Sequence, residues 1–138
     1  MINIPAKIFT ILSGAATVTA IVSTRIYPLV APYDATMPCV SYRLLGVDRY
    51  ETQSGPSNLD KYTVRVSIYA ATYDDLHSLM EAVIGAMTGM TESTLSRILW
   101  TNVSDDAEEA YTVANTTGSA TSGVYLAVRN LDFQIFTK

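Results

Sequence analysis

The stretch KYTVRVSIYAATYDDLHSLMEAVIGAM, residues 61–87, predicts a strand that turns directly into a helix. Apolar and polar residues alternate over its first ten positions, which is typical of a strand with one buried face. The apolar positions are Tyr62, Val64, Val66, Ile68 and Ala70, and the polar ones are Lys61, Thr63, Arg65 and Ser67. After Ala71 the spacing changes to three and four, which predicts an amphipathic helix over 73–87. Its inward residues are Leu76, Leu79, Met80, Val83, Ile84 and Met87.

The start of this helix is marked by a capping box. Thr72 and Asp75 form the T-x-x-D pattern, and Asp74 and Asp75 lie in the first turn, where the helix dipole favours carboxylates. A helix that follows a strand with its apolar stripe facing back covers one face of a sheet. The stretch therefore predicts a small α+β domain.

The residues before this stretch predict two short helices and a strand. Asn3 is a suitable N-cap with Pro5 in the first turn, and Gly14 breaks a first helix before a second one over 15–22. Residues 25–28 predict a short extended piece. A strand over 39–50, with a bulge at Gly46, then forms a hairpin with the next strand through a long tip at 52–58.

Two further strands follow the long helix, which Gly89 ends. They are predicted over 95–104 and 124–136, and a change of phase in the second indicates a bulge near Arg129. We therefore expect one α+β domain over 1–138, with helices packed on one face of an antiparallel sheet. Its four main strands are 39–50, 60–71, 95–104 and 124–136.

The polar segment 105–123 leaves two hypotheses open. It begins with DDAEE and contains NTTGSATSG, which favours a solvated or disordered loop. Its length is unusual inside a compact domain, and Tyr111 and Val113 alternate as strand residues do. These features favour an extended β-hairpin arm that reaches a neighbouring subunit, with the acids available to its cations.

Composition disfavours several classes of protein. Thirteen acids against nine scattered bases give a net charge of -4, which argues against a nucleic-acid surface. Charged residues are 16% of the chain and nine residues are Tyr, so the surface suits protein contacts. A single cysteine, Cys39, excludes an internal disulfide and fits a small buried hydrophobe. The apolar segment 4–22 is an alternative signal or membrane anchor, but no basic residue precedes it and it contains several hydroxyls.

Motifs for enzymatic chemistry are absent from the sequence. His77 is the only histidine, and no nucleophile elbow, phosphate-binding glycine loop or dinucleotide fingerprint occurs. The acids of 105–109 lack the spacing of a calcium loop. We therefore expect no catalytic residue, no cofactor and no metal site.

Four blocks in order carry a resemblance that spans nearly the whole chain. They are TRIYPLVAP (24–32), MPCVSYRL (37–44), VRVSIYAATYDDLHSLMEAV (64–83) and VRNLDFQIF (128–136). Their combination resembles the tail-completion, or tail-terminator, family of long-tailed bacteriophages, also called tail-to-head joining proteins. The segment 105–123 is longer than the acidic turn expected for that family.

The resemblance implies a structural virion protein, assembled in the host cytoplasm, that forms a hexameric ring at the head-proximal end of the tail tube. It implies contacts with the major tail-tube protein and a head-connector or stopper protein, with DNA passing through the ring unbound and no membrane. The alternatives are another connector subunit, a small-ligand-binding α+β module and an enzyme. The expected subunit and partner contacts are Tyr27, Pro28, Tyr33, Tyr50, Asp105, Asp106, Glu108, Glu109, Tyr111 and Val113.

Overall fold

The computed structural model describes residues 3–29, 38–53, 55–70, 72–89, 95–109 and 125–137. Its helices are α1 (Ile4–Gly14), α2 (Ala16–Val22) and α3 (Tyr73–Thr88). Its strands are β1 (Ile26–Pro28), β2 (Cys39–Thr52), β3 (Gly55–Ala70), β4 (Leu95–Glu109) and β5 (Tyr125–Thr137). The elements form an α+β fold, as predicted.

The two N-terminal helices begin and break where the sequence predicts. The side chain of Asn3 accepts a hydrogen bond from the Ala6 amide at 3.2 Å, and α1 buries Ile4, Ile8 and Leu12. None of the described helices is by itself long and apolar enough to span a membrane. The pair α1 and α2 reaches that length and apolarity only together, across a bend of 83°.

The joint between β3 and α3 follows the predicted pattern at each position. The even-numbered residues 62–70 are buried, and the odd-numbered residues 61–69 are half-buried. Thr72 caps α3 by accepting the Asp75 amide proton at 3.2 Å. The helix ends at Gly89, where a Cβ atom would lie 2.9 Å from the Gly85 carbonyl oxygen. The closeness of that carbonyl explains the glycine at the end of the helix.

The sheet has five strands in the order β1-β2-β3-β5-β4. The four predicted strands pair antiparallel, and the short β1 adds a fifth strand that runs parallel to β2. Arg25 holds β1 in place, because its side chain donates to the Pro38 carbonyl at 2.8 Å and to the Ile21 carbonyl at 3.2 Å. The core lies between this sheet and the three helices.

The β2–β3 hairpin differs from the prediction in its tip. The pairing continues to Thr52 and Gly55, so the long tip expected over 52–58 is wrong. The hydrogen-bond ladder between the two strands of the hairpin keeps these turn-forming residues in an extended conformation. The predicted bulge is present, since the register shifts between Leu44 and Gly46.

The predicted bulge in β5 is wrong. The β3–β5 register is continuous from Lys61 opposite Phe136 to Ala70 opposite Ala127. The irregularities lie instead in β4, between Leu95 and Arg97 and again between Trp100 and Asn102. Without a bulge in β5, Arg129 shares the helix-covered face with Leu131, Phe133 and Ile135, and it is 6% exposed. The alternation in the sequence has an apparent change of phase only because a charged residue, Arg129, occupies an inward position of a regular strand.

The acidic run at the start of the predicted arm lies on a strand. β4 continues to Glu109, which pairs with Tyr125 of β5. The solvated-loop hypothesis is therefore wrong for residues 105–109, because their backbone belongs to the antiparallel ladder. Both flanking strands extend outward together, as the hairpin-arm hypothesis expects, and the remainder of the arm lies outside the described residues.

Candidate functional site

The predicted contact residues do not form one site, because the sheet separates them onto different strands. Tyr27 and Pro28 lie on β1 at one edge, and Tyr50 lies on β2 near the hairpin tip. The acids lie on β4 at the opposite edge, and they are Asp105, Asp106, Glu108 and Glu109. Tyr33, Tyr111 and Val113 fall outside the described residues. The prediction therefore resolves into two candidate surfaces at the two edges of the sheet.

At the β4 edge, Asp105 is bound within its own chain. The Arg129 guanidinium on β5 donates to both carboxylate oxygens of Asp105, and the Nη2–Oδ2 distance is 3.0 Å. Arg129 also donates to the Tyr73 hydroxyl at 2.6 Å, and that hydroxyl donates to Asp105 at 2.9 Å. Met80 of α3 accepts a further contact from Arg129 at 3.2 Å. The network ties the start of α3 to β4 and β5.

Burial and charge together stabilise this network. The side chain of Arg129 is 7% exposed and that of Asp105 is 45% exposed, so the pair spans the boundary between core and solvent. The hydrogen bonds from Arg129 lower the pKa of Asp105, and those to Asp105 raise the pKa of Arg129. The guanidinium carbon lies 5.0 Å from the centre of the Tyr73 ring, which adds a cation–π contact.

Three large apolar side chains are exposed at this edge of the sheet. They are Tyr73 at 61%, Trp100 at 44% and Val103 at 41%, and we call them the β4 patch. Val103 lies two residues before Asp105 on the same face of β4, and Trp100 lies on that face five residues before Asp105. Trp, Tyr and Arg are the residue types that dominate binding energy at protein interfaces. The β4 patch therefore has the composition of a protein contact.

A second apolar surface lies at the opposite edge, around Tyr42 of β2. It consists of Phe9 at 44% exposure, Leu29 at 63% and Leu44 at 37%, and we call it the β2 patch. The rings of Phe9 and Tyr42 lie 6.5 Å apart, and the Leu29 amide donates to the Tyr42 carbonyl at 2.7 Å. Leu44 follows Tyr42 by two residues and so shares its face of the strand.

The face of the sheet opposite the helices carries a polar ladder. Arg65 donates two hydrogen bonds to Asp132, at 2.8 and 3.2 Å, and thereby lowers the pKa of that carboxyl. Ser67 donates to Asn130 at 2.7 Å in the next row. These pairs link the central strands β3 and β5, and they give this face a polar surface.

The remaining candidates for chemistry are isolated from one another. His77 is exposed on α3, and its imidazole lies 3.4 Å from Glu81 one turn later. Burial raises the pKa of Cys39 to about 11, which keeps its thiol protonated. Among the described residues no three His, Cys, Asp or Glu side chains are grouped to hold a metal ion.

Sequence reasoning missed Arg129 as the centre of a buried network, and it missed the three residues of the β4 patch. The signal for Arg129 was the interrupted alternation in β5, which we interpreted as a bulge. Tyr73 is the first residue of the helix predicted over 73–87, and no pattern in the sequence identifies Arg129 or Asp105 as its neighbour. Its contacts come from the packing of α3 across two strands.

Two exposed apolar patches on a small α+β sheet are typical of a structural subunit that packs against other proteins. The family model described as tail completion protein gp17 matches residues 6–120. The chain belongs to this family, so it is a structural protein of the phage tail, and the resemblance read from the sequence is confirmed.

A solved structure gives an independent likeness of fold. A chain from the virion of a native gene transfer agent particle aligns with 95% of this chain and 92% of its own, at a TM-score of 0.60 and 15% identity. Because the two chains share only 15% of their residues, this likeness shows that they have the same fold and no more. No curated protein matches the chain.

Proposed function

We propose that this protein is the tail terminator, a subunit of a hexameric ring at the head-proximal end of the tail tube. The ring ends growth of the tube and presents the surface that joins the head connector. The observation that carries this proposal is the family match over residues 6–120, which assigns the chain to tail completion. The partners are the major tail-tube protein on one side of the ring and the connector or stopper protein on the other.

Charge supports a ring through which DNA passes. The chain has a net charge of -4, and Arg65 of β3 forms an ion pair with Asp132 of β5. A lumen lined by such a subunit lacks the clustered cations that hold phosphate. The proposed ring therefore guides DNA without binding it.

The β4–β5 arm supports contact beyond a single subunit. Its two strands remain paired as far as Glu109 and Tyr125, which carries the ladder outward from the core. A hairpin that extends from a domain presents backbone groups that a neighbouring chain can satisfy. We propose that residues 105–123 contact the adjoining subunit or ring.

The proposal also holds that no residue of the chain is catalytic. The position of His77 supports this, since it is exposed on α3 and, among the described residues, it forms an ion pair with Glu81 alone. An imidazole that activates a protein nucleophile must lie within hydrogen-bonding reach of it. The protein acts by binding its neighbours.

Electron microscopy of phage particles made without this protein tests the proposal. We expect DNA-filled heads that are separate from tails, and tails of irregular length, because nothing stops the tube. Complementation with the full chain should restore joined particles of uniform length. Tails of normal length beside heads that have lost their DNA would instead indicate another connector subunit and overturn the terminator function.

A further inference from the structure

The two apolar patches occupy the same level of the sheet on its opposite edges. Leu44 of β2 is opposite Val64, Val64 is opposite Phe133, and Phe133 is opposite Trp100 of β4. These four residues form one row across the sheet. Because paired residues point to the same face, Leu44 and Trp100 are both on the helix-covered face. One copy placed beside another at the same height brings Trp100 to Leu44.

A second row across the sheet has opposite charges at its two ends. Asp48, Lys61, Phe136 and Arg97 lie opposite one another across β2, β3, β5 and β4. Asp48 is 64% exposed although it pairs with Lys61, and Arg97 is exposed at the other edge. The alignment that joins Trp100 to Leu44 thus also brings a cation of one copy to a carboxylate of the next.

Strand direction agrees with this arrangement. β2 and β5 run one way and β3 and β4 the other, so β4 of one copy lies antiparallel to β2 of a copy in the same orientation. β1 covers β2 only from Val40 to Tyr42. Beyond that point, the described part of the chain places no further strand beside β2 from Arg43 to Thr52. Among the described residues this stretch is an open strand edge, where residues 97–100 of the neighbouring β4 can lie.

We propose that copies of this chain associate head to tail, with the β4 patch of one copy packed on the β2 patch of the next. Trp100 contacts Leu44 at the centre, and Arg97 faces Asp48 beside it. The two patches are different surfaces, so the contact is heterologous and repeats in one direction until a ring closes. This inference rests on the proposed ring and specifies which surfaces form it.

Cysteine cross-linking tests the central contact. The double variant Leu44→Cys with Trp100→Cys, treated with a mild oxidant, should give a ladder of disulfide-linked copies on a non-reducing gel. Each single variant should remain monomeric on the same gel, because a heterologous contact never brings a position next to its own copy. The native Cys39 is buried and serves as the background control in the wild-type chain.

The possible outcomes distinguish a failure of the proposed interface from a failure of the proposed ring. A covalent dimer from a single variant would show a symmetric contact and overturn the proposal. Rings that are visible by electron microscopy but never cross-link in the double variant would overturn it as well, while leaving the tail-terminator function in place. A wild-type chain that forms no ring, alone or with purified tail tubes, would overturn that function and this interface with it.

Mixing two exposed-site variants gives a second test that does not require cross-linking. Val103→Asp disables the β4 patch and Phe9→Asp disables the β2 patch, and neither side chain is buried. Each variant alone should be monomeric by mass photometry. An equimolar mixture should give a dimer and nothing larger, because only one intact contact exists between the two. Closed rings from either variant alone would contradict the head-to-tail contact.

Discussion

Arg129 donates hydrogen bonds to both carboxylate oxygens of Asp105 across the β5–β4 pair, and it lies almost entirely in the core while Asp105 reaches solvent. The carboxylate therefore compensates a cation that could not otherwise remain on the helix-covered face. Tyr73 closes the same network from α3. In addition to the backbone ladder, this ion pair and the Tyr73 hydroxyl join the base of the β4–β5 arm to α3.

Asp105→Asn should lower the free energy of unfolding by about 1–3 kcal/mol, because it removes the charge opposite a buried guanidinium. Half of the Asp105 side chain is in water, so the loss stays below that of a fully buried pair. Chemical denaturation measures the change. Asp48→Asn is the matched control, since its exposed pair with Lys61 should contribute at most about 1 kcal/mol. Equal losses in the two variants would contradict a special role for the Arg129 network.

Stability should fall in acid through Asp105 and Asp132. Arginine hydrogen bonds lower the pKa of both carboxyls in the folded chain, so each stabilises the fold above its unfolded pKa of about 4. That stabilisation is lost as the pH falls through the lower, folded pKa. The gap in unfolding free energy between the wild type and the Asp105→Asn, Asp132→Asn double variant should therefore begin to narrow as the pH falls to the unfolded pKa of about 4, and it should keep narrowing below that pH. A gap that stays constant would show that neither carboxyl is linked to folding.

Val83→Asp should prevent the chain from folding into a soluble protein. Val83 is fully buried on α3, and an unpaired carboxylate there would cost more than about 4 kcal/mol. Ser78→Asp, on the exposed side of the same helix, is the control and should remain soluble. Expression and size-exclusion chromatography measure both. A soluble, cooperatively folded Val83→Asp chain would show that the inward face of α3 is assigned wrongly.

His77→Ala should leave particle assembly unchanged. The substitution removes only an exposed pair with Glu81 one helical turn away, which is worth about 0.3–0.5 kcal/mol when the imidazole is charged. Plaque counts after complementation with the variant measure the outcome. Loss of infectivity with normal expression and normal rings would indicate a function for the imidazole that the proposed mechanism lacks.

Shortening the arm should abolish assembly without unfolding the domain. Replacing residues 110–124 by a two-residue Asn-Gly turn keeps the β4–β5 ladder to Glu109 and Tyr125. We expect an unchanged thermal midpoint and a loss of rings or of head–tail joining. The same Asn-Gly turn at positions 53–54 of the β2–β3 hairpin is the control. A shortened variant that joins heads to tails as well as the full chain would show that residues 110–124 have no role in assembly.

The pattern of apolar residues was sufficient to predict the elements of this fold. Alternation over 61–70 and helical spacing over 73–87 predict the β3–α3 unit because each depends only on which side of one element faces the core. The caps at Asn3 and Thr72 were equally readable, since a cap bonds to an amide three residues away. The family could be recognised for a related reason, because each of the four blocks is a short continuous stretch of sequence.

What the sequence could not determine depends on contacts between distant residues. Asp105 and Arg129 are 24 positions apart, and only the β4–β5 register brings them together and turns an apparent bulge into a buried ion pair. The β4 and β2 patches likewise arise from strand order, which places Trp100 and Leu44 in one row at opposite edges. Local sequence determined the strands and helices because the alternation or spacing that marks each element depends only on which side of it faces the core, and because capping contacts are local. The tertiary structure decided the surfaces because these depend on which strands become edges and which side chains the helices leave uncovered.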